Sequence, residues 1–118
     1  MQNQNEITFE TRDMITIITI NGDLTVVSEA PLKKAYNNAN DCGVSKILLD
    51  FDPEAYINSG GIALIIQLLG EARKRNQMVG ITGLSEHFKK VFSMVGVTKY
   101  ARVYASVDEA IAAMSPAS

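Results

Sequence analysis

Between Val44 and Leu69 the chain passes from a continuous apolar run to apolar residues at helical spacing, across Tyr56-Ile57-Asn58-Ser59-Gly60-Gly61. In Val44-Ser45-Lys46-Ile47-Leu48-Leu49-Asp50-Phe51 the apolar middle does not alternate, which suits a strand covered by helices on both faces. Asp52-Pro53-Glu54 then turns the chain. Beyond Ser59, residues Ile62, Ile65, Ile66 and Leu69 share a helical face with Leu64 and Leu68 beside it. Only Ala63, Gln67, Glu71 and Lys74 make a solvated stripe, so the pattern predicts a deeply embedded helix. Arg73, Lys74 and Arg75 crowd its C-terminal end, where positive charge complements the dipole. This order places Asn58 and Ser59 at the mouth of the helix, where short polar side chains accept hydrogen bonds from unpaired N–H groups. A serine there can also carry a phosphoryl group, favoured by those N–H groups and by the positive end of the macrodipole.

The flanking sequence supplies the other elements. Thr8-Phe9-Glu10 and Ile15 to Ile20 are β-prone and read as a hairpin turned at Arg12-Asp13. Ser28 is the expected cap of a helix that tolerates Pro31 in its first turn and buries Leu32, Ala35, Tyr36 and Ala39. Gly43 ends that helix in a left-handed conformation. Met78 to Thr82 is a short strand, and Ser85 caps a helix with Phe88, Val91, Phe92 and Val95 on one stripe and Gly96 at its close. Arg102-Val103-Tyr104 is a last strand; Ser106 and Glu109 form a capping box before Val107, Ala110, Ile111 and Met114. The sum, β-β-α-β-α-β-α-β-α, is an α/β domain with one mixed sheet of four or five strands and about four helices. No linker or repeat divides the chain, so residues 1–118 read as a single domain with an ordered core over about 6–114 and a frayed tail.

Composition limits the function. A 118-residue chain with 47% hydrophobic content can bury one core. Eleven basic against 13 acidic residues, net −2, leave no broad electrostatic footprint for nucleic acid or an anionic membrane. Cys42 is alone, which fits a reducing compartment. The polar start Met1 to Glu6 lacks a secretory layout, and apolar runs as short as Ile62 to Ile66 cannot span a bilayer. A cytoplasmic protein without membrane insertion is expected. Gly60-Gly61 matches neither the Walker pattern nor the dinucleotide fingerprint, and one His and one Cys give a metal almost nothing to bind. His87 beside Glu86 has no nucleophile at a suggestive spacing. No enzyme activity and no cofactor are expected.

Three stretches, in order, carry a family likeness. Gly22-Asp23-Leu24 resembles a Gly-x-Leu-Asp segment with its last residues in a different order. Tyr56-Ile57-Asn58-Ser59-Gly60-Gly61-Ile62 is similar to aromatic-apolar-Asp-Ser-Ser/Thr-Gly-Leu, and Val91-Phe92-Ser93-Met94-Val95-Gly96-Val97 to Val-Phe-x-Met-x-Gly-Leu. With these, the chain from about Ile7 to Met114 resembles the STAS domain, and within it the bacterial anti-sigma-factor antagonists. The resemblance implies a non-catalytic switch protein. The unmodified domain binds an anti-sigma factor that is also a serine kinase, the kinase phosphorylates the first serine after the acidic residue, the complex dissociates, and a phosphatase resets it. The acceptor maps onto Ser59. Asn58 stands where the family has an acidic residue, and Gly60 where it has a second hydroxyl.

The expected partner surface comprises Asp23, Asn58, Ser59, Gly60, Gly61 and Met94. The glycines would let a partner backbone approach, or else only permit close helix–sheet packing. Met94 lies off the buried stripe of its helix, and methionine suits adaptable surfaces or fills gaps. Asp23 would rim the same surface or shape a turn. The alternative function is a STAS assembly subunit, a signalling scaffold or transporter-associated, that is never phosphorylated; Asn58 and Gly60 favour it. A monomer or weak dimer without direct nucleic-acid contact is expected in either case.

Overall fold

β-Branched residues fill the first two strands, β1 (Glu6–Arg12) and β2 (Ile15–Asn21), which pair antiparallel. The structure, a computed structural model, describes residues 6–115, so most of the expected frayed tail lies outside the described residues. Asp13 and Met14, both at positive φ (52° and 67°), make the turn, as a two-residue hairpin with right-twisted strands requires. The turn falls one residue later than the sequence pattern indicated, because Arg12 is held in the ladder opposite Ile15.

From β2 the sheet grows in one direction. β3 (Lys46–Phe51), β4 (Met78–Thr82) and β5 (Arg102–Val103) follow in chain order, each parallel to the one before. The connections carry α1 (Glu29–Asp41), α2 (Ser59–Lys74) and α3 (Glu86–Met94), and α4 (Val107–Met114) closes the described chain. Crossovers of one hand that always step the same way put their helices on one face. Ile18, Ile20, Ile47, Leu49 and Ile81 accordingly share a core with Leu32, Leu64, Leu68, Phe88 and Phe92 from α1, α2 and α3. The opposite face, through Ile15, Ile17 and Leu48, packs on Ala110 and Met114 of α4. Coverage on both sides explains why Ile47-Leu48-Leu49 shows no alternation. The five-stranded mixed sheet and four helices agree with the expected α/β architecture.

Several local details differ from the sequence reading. Ser28 does not cap α1 with its side chain. Thr25 caps a short 3-10 turn, Val26–Ser28, and the buried Ser28 hydroxyl accepts from Thr25 N at 3.1 Å in return. α2 is less embedded than its composition suggests. It rests on a single face of the sheet, so Gly61, Leu64, Ile65, Leu68, Leu69 and Ala72 are buried while Ile66 faces solvent. Val95 is the C-cap of α3 and exposed, not part of its buried stripe. Val44 and Ser45 precede β3, and Tyr104 follows β5. Gly43 does sit at left-handed φ (+72°) just past α1. Ser85 Oγ and Ser106 Oγ accept from Phe88 N and Glu109 N at 3.2 and 3.1 Å, as helix caps do.

A partly buried carboxyl lies near the end of β3. Asp50 Oδ1 accepts from the Thr82 hydroxyl at 3.0 Å. Burial raises its pKa above the ordinary 3.8, and the Thr82 hydrogen bond offsets only part of that rise. With its pKa raised, the protonated form of Asp50 is the one the fold favours. Its contribution is complete below the unfolded value and is lost as pH rises through the folded one. Asp50→Asn, neutral throughout and still an acceptor for Thr82, is expected to melt above the parent at pH 7. The gap should close as pH falls below 3.8 in a thermal melt series. A gap independent of pH would contradict burial as the cause.

Candidate functional site

The segment leaving β2 and the segment entering α2 are clipped together. Leu24 and Ile57 form a parallel bridge, with Leu24 N donating to Tyr56 O at 2.9 Å and Asn58 N to Leu24 O at 3.2 Å. Asp23 Oδ1 accepts from Tyr56 N at 2.9 Å and so reinforces the clip from its rim. Leu24 and Ile57 are both buried, which anchors this bridge in the core.

Gly61 makes the approach possible. A Cβ built on it would stand 2.2 Å from the Leu24 carbonyl oxygen, far inside contact distance. Its missing side chain therefore serves the chain's own Leu24, and Gly61 is buried; the expected approach of a partner backbone at this position is taken up internally. Gly60 is half-buried and closes on Val26, 3.2 Å from where a Cβ would lie.

Asn58 is the N-cap of α2. Its backbone is extended (φ −88°, ψ −178°) and its Oδ1 accepts from Gly61 N at 2.9 Å. Its carbonyl accepts from Ile62 N at 2.9 Å. The side-chain cap is thus made without the hydroxyl of Ser59, the first residue of the helix, which is exposed. The Ser59 hydroxyl takes part in none of the hydrogen bonds among the described residues. No acidic side chain occupies the first turn of α2, so the nearest carboxylate that the site presents is that of Asp23 on its rim.

Around this mouth stands an apolar rim that the sequence did not mark. Val26 and Val27 are 63% and 77% exposed on their 3-10 turn, and Tyr56 is 60% exposed with its ring edge-on to buried Phe88, 5.8 Å between centroids. The Thr25 and Ser28 caps hold the two valines outward. The signal for this was the Thr25-Val26-Val27-Ser28 pattern itself, which reads equally well as the lead-in to α1.

The structure brings Asp23, Asn58, Ser59, Gly60 and Gly61 together. Met94 is 84% exposed at the end of α3. Its neighbour Val95 lines a groove of about 250 Å³ with Ile66, Leu69 and Tyr100. Ile66 lies two turns beyond Ser59, about 10 Å along the helix at 1.5 Å per residue. Among the described residues no cluster of His, Cys, Asp and Glu is placed to hold a metal, and no helix is long and apolar enough to cross a membrane.

Comparison with known proteins gives a consistent result. The family model of the STAS domain matches residues 6–110. An anti-sigma factor antagonist from Mycobacterium paratuberculosis is similar in structure, with a TM-score of 0.79 at 15% identity over 93% of each chain. A putative anti-sigma factor antagonist from Thermotoga maritima has a TM-score of 0.78 at 18% identity, over 91% of this chain and 92% of that one. The Bacillus cell fate determinant SpoIIAA in its phosphorylated form has a TM-score of 0.68 at 20% identity, over 92% and 98%.

The two glycines should respond differently to one added methyl group. Gly61→Ala is expected to destabilise by about 1–3 kcal/mol, as overpacking against backbone does, and Gly60→Ala by less than about 1 kcal/mol. Urea unfolding of both variants checks this. Equal losses would mean that the Leu24 contact is not the limiting one.

Proposed function

Because this chain belongs to the STAS domain family, we propose that it is an anti-sigma-factor antagonist of a partner-switching system, controlled by phosphorylation of Ser59. In its unmodified form it binds an anti-sigma factor that is also a serine kinase; a phosphatase restores that form. The chemistry is done by these partners, and the chain itself needs no catalytic group or cofactor.

The observation that carries the reading is the division of labour between Asn58 and Ser59. Asn58 holds the cap, which leaves the exposed Ser59 hydroxyl available for transfer without loss of the helix start. A phosphoryl group adds about −1.5 to −2 charges at pH 7. At a helix N-terminus a negative group is favoured by about 0.3–1 kcal/mol, so the fold accepts it. A partner seated on Val26, Val27 and Tyr56 would have to desolvate that charge. A penalty of even about 3 kcal/mol weakens binding roughly a hundredfold. The Asn58 departure is compatible with this chemistry, since a neutral cap places no like charge beside the phosphate.

The apolar rim also suits the second reading, a constitutive assembly subunit whose docking needs no phosphate. Intact-mass measurement after incubation with the cognate kinase and ATP separates the two. The switch reading predicts one added phosphate, absent from Ser59→Ala. It further predicts that Ser59→Asp stays folded by circular dichroism and binds the partner at least about tenfold more weakly. Phosphate persisting on Ser59→Ala would move the acceptor elsewhere. An unmodified protein whose Ser59→Asp variant binds as tightly as the parent would establish the constitutive reading.

A further inference from the structure

Strand β1 is an edge. β2 pairs with one side, and among the described residues no strand pairs with the other. Arg12 and Ile15 flank the two-residue turn and therefore form a hydrogen-bonded pair. With that parity Glu6, Thr8, Glu10 and Arg12 bond to β2, while Ile7, Phe9 and Thr11 direct their N–H and C=O groups outward. An unpaired edge of this kind is a template for another strand.

We infer that this edge pairs with the same edge of a second copy of the chain, antiparallel about a twofold axis at Phe9. In that register Phe9 meets Phe9, and Ile7 meets Thr11 of the second copy, so every outward backbone group finds a partner. Glu6 then stands opposite Arg12 of the second copy, and Thr8 opposite Glu10. Opposite charges directly across a pair stabilise it, and like charges oppose it. Sliding the strands by two residues in either direction sets Glu10 against Glu10 or Glu6 against Glu10. Charges on an edge ordinarily discourage pairing; here they discourage the two adjacent registers and favour the one that also uses the whole strand.

Two further observations fit a self-pair. Phe9 lies opposite Ile18 on the face of α1 to α3 and is 40% exposed, so its twin would cover apolar surface left open in the monomer. The opposite edge of the sheet, β5, has only two residues, Arg102–Val103, too few to receive β1 head to tail. A twofold β1 pair closes on itself and does not propagate. Since the paired strands run in opposite directions, the two α2 mouths point to opposite ends of the joined sheet. The association is therefore independent of whether Ser59 is a switch.

Sedimentation equilibrium of the full chain, from micromolar to near-millimolar concentration, tests the inference. A reversible monomer–dimer equilibrium is expected. Phe9→Pro removes an outward N–H and spares the β2 ladder, and should weaken the dimer at least about tenfold. Glu6→Arg and Arg12→Glu should each weaken self-association at least about fivefold. An equimolar mixture of those two charge variants should recover parental affinity as a heterodimer, which a merely destabilised strand could not do. A protein monomeric throughout the range, or a mixture that associates no better than either variant alone, would overturn the inference.

Discussion

The contact between Gly61 and the Leu24 carbonyl fixes most of what matters in this domain. The segment after β2 can lie against the lead-in to α2 only because the helix offers no side chain there. That approach lets Leu24 bridge Ile57, aligns Asp23 on Tyr56 N, and sets the 3-10 turn of Val26 and Val27 beside the helix mouth. Two separate stretches of sequence become one surface through a single close backbone contact. A bulkier residue at position 61 would separate them while leaving each element's local pattern intact.

That arrangement also keeps the Ser59 hydroxyl out of the contacts that hold the fold. The helix start is satisfied by Asn58, and the core beneath it by Leu24, Ile57, Leu64 and Ile65. Ser59 contributes to neither, so a change at its hydroxyl has little structure to disturb. The free-energy change falls on whatever covers the rim, where apolar side chains and a new dianionic group would compete for the same partner. A site that is marginal to stability suits a reversible modification, and the exposed hydroxyl of Ser59, outside the cap and the core, meets that condition.

Much of the fold was legible because hydrophobic period and punctuation agree along this chain. Ile47-Leu48-Leu49 announced a strand buried on both faces, and Gly43, Ser85 and Ser106 marked helix ends where they occur. The errors have physical origins that the pattern does not carry. Ile66 sits on an apolar stripe yet faces solvent, because a stripe's width is decided by whether a helix is covered on one side or two, and Val95 is exposed because α3 ends before it. Ser28 looked like a cap for α1, whereas the chain inserts an extra 3-10 turn and moves the cap to Thr25. At the site, Asn58 and Ser59 were readable from capping chemistry. The rim of Val26, Val27 and Tyr56 was not, since exposed valines and buried valines look alike in one dimension. The role of Gly61 was equally hidden, because it depends on a residue 37 positions earlier in the chain.

The central claim is that a phosphoryl group at position 59 alters a docking surface and leaves the fold as it was. Amide chemical shifts of protein carrying phosphoserine at position 59, compared with the unmodified chain, measure this most directly. The account predicts perturbations confined to Ser59, Gly60 and Gly61, to Gly22 through Ser28, and to Tyr56. Shifts spread through the central strands at Ile17, Ile18, Leu48 and Leu49, or a loss of dispersion across the spectrum, would contradict it.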